Sequence, residues 1–490
     1  MHNKEEGAPT LCAAKRRRVS RVRSSYDLII IGAGSAGLAG AAFARKIGLR
    51  VALVEAARVG GDCTWTGCVP SKALLHAAAA GRAARIGAGG VPGRDAPIDF
   101  AGVRAFVHAA RERVYALETP EELERQGIDV LIGQPAFRDG RALEVDGRAV
   151  RARRFLLCTG AVPVVPLIPG LVGGPYLTNH TVFDELTVLP EHLIVLGGGP
   201  VGVEFAQAFR RLGSRVTLIG RNRRLLPAAD DEASELLARV LRDEGITVHL
   251  GMEVDGVEHG VITTVMAGGQ RHECDALLVA VGRRPNVEGM GLERAGVEIG
   301  EKGITVNEKL RTSHPHIYAA GDVTGSFQFT HYAGWQAVMA VRNMFLPGST
   351  RALLPSVPWA VFTDPEVAQV GLTEREARAN GEKYEVHRFP IARNDRAQTT
   401  GEVHGSMKFV LRRNGTILGA TIVGTAAGEM INEITLAIDN KIAFDKLCRS
   451  IHIYPSYGFA LQLGSADALY HDLSHGIKGL VIRALARLAR

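Results

Sequence analysis

Cys63 and Cys68 stand in the stretch GGDCTWTGCVPSK, between paired glycines and Lys72. The chain has only six cysteines in 490 residues, so two of them at this spacing invite a chemical reading. Structural zinc uses CxxC spacing with a second ligand pair. Cys12, Cys158, Cys274 and Cys448 are scattered singly, and no metal site is expected. A redox pair is the other chemistry open to two thiols. Five residues along an ideal helix separate two Cα atoms by roughly 8 to 9 Å, beyond the ~4.4 to 6.8 Å of a disulfide. A bond here needs a broken first turn, which Gly67 would permit. The spacing by itself leaves the choice open.

A second constellation is repeated. Leu28-Ile29-Ile30-Ile31 runs into Gly32-Ala33-Gly34-Ser35-Ala36-Gly37, an alanine-rich helical stretch, and the strand Val51 to Glu55. Leu193-Ile194-Val195-Leu196 runs into Gly197-Gly198-Gly199-Pro200-Val201-Gly202, a helical stretch, and the strand Arg215 to Ile219. Both are GxGxxG between an apolar strand and a helix, the context in which the motif means dinucleotide binding. The glycines make the turn and let a pyrophosphate reach the helix amino terminus. Two dinucleotides are expected, on Gly32, Gly34, Ser35, Ala36 and Gly37 and on Gly197, Gly199 and Gly202.

The two copies differ at one position. Twenty-three residues after Gly32 stands Glu55, which can accept hydrogen bonds from a ribose 2'-hydroxyl. The same offset from Gly197 reaches Gly220, followed by Arg221, Arg223 and Arg224. Arginines pair with a 2'-phosphate that a carboxylate would repel. The second site is therefore expected to take NADPH rather than NADH.

The elements that carry these groups need two to four domains, which the length allows. The net charge of +7 resides in the ends. Residues 1–25 carry seven basic and two acidic side chains, and residues 476–490 four basic and none acidic, which leaves the body at about −2. No basic stripe for nucleic acid results. No apolar run is long enough to span a membrane, and no secretory h-region follows the basic head. A cytoplasmic, thiol-reducing setting is expected, where paired cysteines are more often catalytic than structural. In GIKGLVIRALARLAR, Ile477, Leu480, Val481, Ala484, Leu485 and Leu488 recur at helical spacing. Two readings stand for this basic amphipathic helix, packing on its own protein or peripheral contact with a membrane.

With GGDCTWTGCVPSK and the two glycine signatures come LLCTGAVP, AVGRRPN, YAAGDV, VFTDPEVAQVGLTE and ILGATIVGTAAGEMINE. In this order, over about residues 26 to 465, the chain resembles the pyridine nucleotide-disulfide oxidoreductases, which include glutathione reductase, dihydrolipoamide dehydrogenase and mercuric reductase. The resemblance implies an α/β protein with two Rossmann-like domains, for FAD and NADPH, and a carboxy-terminal α+β dimerisation domain. The divisions are a basic extension at 1–25, FAD binding at 26–165 and 283–350, NADPH binding at 166–282, dimerisation at 351–475, and the basic helix at 476–490. It further implies Glu55 on the adenosine ribose, Thr159 and Gly160 along FAD, Asp322 on its ribityl chain, and Gly282 beside NADPH. Cys63 and Cys68 would form the redox-active disulfide, Cys68 facing flavin and Cys63 facing the acceptor. Lys72 would be the local cation, paired with Glu204 beside the flavin.

One stretch departs from the family pattern. Thiol-reducing members carry a His-Pro, supplied by the partner subunit, with a glutamate a few residues on. Ile451-His452-Ile453-Tyr454-Pro455 puts Tyr454 in the histidine position, and no acid follows before Asp467. His452 serves as acid-base only with a two-residue shift; otherwise it packs at the dimer interface. A tyrosine here is similar to mercuric reductases, but their carboxy-terminal cysteine pair and amino-terminal GMTCxxC module are missing. The expectation is a mercuric-reductase-like homodimer whose acceptor is a metal ion, a disulfide or a quinone. The alternatives are dihydrolipoamide dehydrogenase or glutathione-disulfide reductase, and a membrane-associated NAD(P)H:quinone reductase that does not need the cysteines.

Overall fold

A computed structural model describes residues 25–474 and 476–488. The basic extension, apart from Ser25, lies outside the described residues. The chain opens with β1 (Ser25–Ile31), α1 (Ser35–Lys46) and β2 (Val51–Glu55), and the strands pair in parallel. Leu28 to Ile31 are at most 1% exposed, as a strand covered on both faces requires. Burying each such side chain contributes roughly 1.5–3 kcal/mol. A short helix, α2 (Gly61–Trp65), and a long one, α3 (Cys68–Ile86), follow. The sheet is completed by β3 (Ile128–Ile132), a hairpin over residues 135–145, and β4 (Arg148–Leu157), giving seven strands with one that arrives later.

The chain then leaves through β5 (Ala161–Pro163) into a second parallel sheet. Its strands are β6 (His192–Leu196), β7 (Arg215–Gly220), β8 (Thr247–Leu250) and β9 (Ala276–Val279), in the order β8-β7-β6-β9. Helices α4 (Pro200–Leu212) and α5 (Asp231–Asp243) belong to this unit. It returns through β10 (Arg283–Pro285), which pairs antiparallel with β5, Arg283 opposite Pro163. β11 (Ile317–Ala319) then adds to β4 of the first sheet, and α6 (Thr330–Phe345) packs against α1. The second GxGxxG unit is therefore an insertion into the first.

A third, antiparallel sheet holds β12 (Trp359–Val361), β13 (Glu366–Gly371), β14 (Glu385–Pro390), β15 (Ser406–Leu411) and β16 (Ile417–Gly424), with α7 (Ala427–Asp439) packed on it. Parallel sheets flanked by helices and a separate antiparallel sheet make the mixed α/β class expected from the sequence. Lys408 on β15 fastens this sheet to the inserted unit. Its ammonium, 6% exposed, lies 2.8–3.0 Å from Asp230, Glu232 and Glu374.

The last described element is α8 (Gly476–Leu488). Leu480, Val481, Ile482, Leu485 and Leu488 on it are all exposed. No helix among the described residues is long and apolar enough to cross a membrane.

Candidate active site

The two glycine turns are built alike. Gly32 has φ +99° and Gly197 φ +117°, and a Cβ on either would stand 2.3 Å from a carbonyl oxygen, of Cys158 or of Ala280. A Cβ on Gly37 or Gly202 would stand 1.9 Å from the carbonyl of Gly32 or Gly197. Only glycine fits these four places, and the backbone is left open for a pyrophosphate. At Gly199 and Gly160 an added Cβ would meet nothing within 4 Å. Chain and cradle thus fit two dinucleotides.

Between the turns lies a continuous cavity of about 1600 Å³. Gly32, Gly34, Ser35, Ala36, Glu55, Thr159, Gly160 and Asp322 line one part of it, and Gly197, Gly199, Arg221 and Gly282 another. Cys63, Cys68, Lys72 and Glu204 line it too. Gly37 and Gly202 instead back the turns. Glu55, at the end of β2, accepts from the backbone of Ala33 and of Ala57, at 2.8 Å each. Thr159 donates to the Asn286 carbonyl at 2.7 Å, tying the exit strand to the return strand. On the other turn Arg223 is exposed, while Arg224 is drawn to Asp231, which Arg375 also holds.

The helix break that a Cys63–Cys68 bond would need is present. α2 ends at Trp65, Thr66 and Gly67 lie outside helix, and Cys68 begins α3. A Cβ on Gly67 would sit 2.8 Å from the Asp62 carbonyl, so the turn closes only on glycine. Trp65 anchors α2: its indole donates to the Val59 carbonyl at 2.7 Å, and the Arg58 guanidinium lies 3.4 Å over its ring. Cys63 and Cys68 are both free thiols in this structure, hydrogen-bonded to each other.

The thiols are unequal. The hydrogen bond from Cys63 comes first in lowering the Cys68 pKa to about 6; Thr330 and Lys72 add to it against burial and Glu204. Its bond to Cys68, and then burial, push the Cys63 thiol well up. Lys72, one turn beyond Cys68 on α3, gives both carboxylate oxygens of Glu204 on α4 a hydrogen bond, at 2.7 and 3.0 Å. Glu204 also accepts from the Phe362 backbone at 2.9 Å.

Several groups were not singled out from sequence. Arg283 reaches the Asp62 carboxylate and stands 3.7 Å from Asp322, and His180 Nε2 is 3.2 Å from Asp62. Burial opposes the Asp62 charge, but His180 and Arg283 outweigh it, and its pKa falls below normal. For Asp322 burial prevails and raises the pKa. Asp62 and Arg283 lie inside the quoted motifs, so position was the available signal; His180 and Thr330 carried none.

His452 and Tyr454 do not line the cavity. His452 Nε2 faces Glu433 on α7, and Nδ1 faces the Ser450 carbonyl at 3.0 Å. An acid beside His452 thus lies upstream, where a search after His452 does not look. The Tyr454 phenol donates to Asp395 at 3.0 Å, and that carboxylate raises its pKa. Among the described residues no cluster of metal-ligating side chains occurs.

The family described as Pyridine nucleotide-disulphide oxidoreductase matches residues 26–337, and its dimerisation domain matches 357–463. A mercuric reductase of Streptomyces lividans is 37% identical over 460 residues, 91% of this chain and 96% of that protein. A dihydrolipoyl dehydrogenase of Thermus scotoductus is 37% identical over 467 residues, 92% and 99% of the two. Among solved structures, the Cu(II) complex of the HOCl-induced flavoprotein disulfide reductase RclA from Escherichia coli superposes with a TM-score of 0.83 at 30% identity, covering 91% of this chain and 99% of that one.

Proposed function

The chain belongs to the pyridine nucleotide-disulphide oxidoreductase family, whose members use FAD and NAD(P)H, and from that premise we propose that it is a mercuric-reductase-like enzyme moving electrons from NADPH through Cys63 and Cys68 to a metal ion. The observation that carries this reading is the helix break at Thr66–Gly67, which sets both thiols in one cavity with two glycine turns.

We assign residues 26–165 and 283–350 to FAD, with Glu55 on the ribose and Asp322 on the ribityl chain. Residues 166–282 take NADPH, its 2'-phosphate against Arg221 and Arg223, since Gly220 stands where an acid would exclude that group. FAD bound here supplies hydride acceptance from the nicotinamide and delivery of the electron pair. The net first half converts NADPH and the disulfide to NADP⁺, a thiol and a thiolate; the pair of electrons breaks the S–S bond and the proton stays on one sulfur. Cys68 holds the negative charge, and Cys63 keeps the proton and meets the acceptor. In the second half the sulfurs rejoin, the proton leaves, and two electrons reduce one two-electron or two one-electron metal ions.

A metal ion is favoured over a disulfide because releasing a thiol from a disulfide substrate calls for a proton donor. Tyr454 is committed to Asp395, and both ring nitrogens of His452 face acceptors. The relatives named mercuric reductase, and the neighbour solved as a Cu(II) complex, support the same acceptor class. Anaerobic NADPH titration, followed by turnover with Hg(II), Cu(II), glutathione disulfide, lipoamide and quinones, tests it. Faster turnover of either disulfide than of both metal ions would overturn the choice of acceptor.

The dimerisation match supports a homodimer, whose second copy would cover the exposed Leu436, Ile451 and Ile453. In the cytoplasm, α8 is suited to peripheral contact with an anionic lipid surface: exposed apolar side chains are joined to a segment with four basic and no acidic residues. Flotation with phosphatidylglycerol vesicles, lost on truncation after His475, is the expected result; equal flotation of both chains would remove the contact.

A further inference from the structure

The reduced pair needs something to decide which sulfur carries the charge, and the obvious cation is spent. Lys72 places its ammonium on both oxygens of Glu204, 2.7 and 3.0 Å away, while Glu204 opposes charge on Cys68. An ion pair offers a nearby thiolate far less than a free ammonium does.

A different group touches the sulfur. Thr330 Oγ1 lies 3.3 Å from Cys68 Sγ, across 262 residues of sequence. Thr330 is the first residue of α6, a 16-residue helix whose N-cap, Phe329, has no side-chain acceptor to offer the first turn. Cys68 is itself the first residue of α3, whose N-cap is Gly67. Two uncapped helix amino termini, each with unpaired N–H groups and a positive dipole end, therefore meet at one sulfur. Between them the threonine hydroxyl provides a direct donor. Cys63 stands in the third position of α2 rather than at the start of α3, and the sulfur within hydrogen-bond distance of the Thr330 hydroxyl is that of Cys68.

We propose that Thr330 is a positioning residue: by donating to Cys68 Sγ from the start of α6, it makes Cys68 rather than Cys63 the thiolate of the reduced pair. The proposal rests on reading Cys63 and Cys68 as the redox pair. The lowered pKa of Cys68, about 6, agrees with it. The consequence is a division of labour: charge is kept on the sulfur beside α6, and the protonated sulfur is left for the acceptor. Thr330, and after it Ser35, also lower the Cys63 pKa, but they do not offset its bond to Cys68 and its burial.

The test is alkylation of the FAD-loaded full chain by iodoacetamide, reduced either with dithiothreitol or with NADPH, with each cysteine quantified by peptide mapping from pH 5 to 9. Wild type, Thr330→Val and Thr330→Ser are compared. A hydrogen bond to a charged acceptor is worth about tenfold or more in the ionisation equilibrium. Thr330→Val should therefore cut Cys68 alkylation at pH 6 by about fivefold or more and shift its profile to higher pH, while Thr330→Ser stays near wild type. The oxidised flavin spectrum of both variants should match wild type, showing that the cofactor pocket is intact. An unshifted valine profile, or a serine variant that behaves like valine, would overturn the role of Thr330. If NADPH leaves both cysteines unalkylatable while dithiothreitol frees them, the redox reading fails instead, and the two failures are distinct.

Discussion

His452 Nε2 lies 2.9 Å from Glu433 Oε2, and its Nδ1 lies 3.0 Å from the Ser450 carbonyl. Both ring nitrogens thus face acceptors of the same subunit, and the ring is engaged on both edges. The histidine ties α7 to the segment before Pro455, and its backbone N–H is in turn accepted by Gln462 at 2.9 Å. His452→Gln should lower stability by about 1.5–3 kcal/mol, the scale of a charged hydrogen bond. Metal-ion turnover should keep its kcat within about twofold and its pH profile, since the energy lost is structural rather than catalytic. Thermal unfolding and a pH–rate series check both, and a large fall in kcat with unchanged unfolding would refute the structural role.

Arg221 and Arg223 are the arginines left at the end of β7 once Asp231 has taken Arg224. Replacing both by alanine should raise the KM for NADPH by about 10- to 100-fold, the range of charge-assisted phosphate contacts. The KM for NADH should change little. Steady-state kinetics with the two nucleotides gives the answer, and equal losses would place the 2'-phosphate elsewhere.

Lys72 and Glu204 should behave as one unit. Glu204 is 8% exposed and Lys72 36%, so solvent screens the pair only in part. Glu204→Gln and Lys72→Met should each destabilise by about 1–3 kcal/mol, and the double variant by less than their sum. Their effects on Cys68 should have opposite sign. Glu204→Gln leaves an unneutralised ammonium and lowers the thiol pKa further, whereas Lys72→Met leaves a carboxylate and raises it. Urea unfolding and cysteine alkylation against pH separate the two effects.

Acid should loosen the junction between the inserted unit and the third sheet. Arg388, first, and then Lys408 hold the Glu232 carboxyl down to about 2, from an ordinary value of 4.5. A depressed folded-state pKa gives stability that is present above 4.5 and lost as pH falls toward 2. Glu232 is 43% exposed, so screening reduces the effect. The urea midpoint of Glu232→Gln should fall below wild type at pH 7, and the gap should close between pH 4.5 and 2. A gap independent of pH would assign the loss to packing.

Much of this was legible in the chain because it was local. The glycine turns, Glu55, and the absence of an acid at Gly220 are short-range patterns, and helix geometry showed that a Cys63–Cys68 bond would need a break, which Gly67 permits. What was hidden is contact across long separations. Thr330 meets Cys68, Arg283 meets Asp62, and Glu433 meets His452 only because sheets and insertions bring distant segments together. The partner of His452 was sought downstream and lies 19 residues upstream on α7. The Lys72 ammonium was legible as a charge, but its near-complete commitment to Glu204 was not.

The ribbon of β5 and β10 has a consequence for engineering. Pro163 and Arg283 are opposite each other, so everything between them enters and leaves through one doorway, the width of a single strand spacing, about 4.8 Å. Residues 164–282 are therefore a cassette with adjoining ends. A homologous cassette of different nucleotide preference can be spliced at those ends without re-routing the rest of the chain, provided it carries counterparts of Glu204 and Asp230 to meet Lys72 and Lys408.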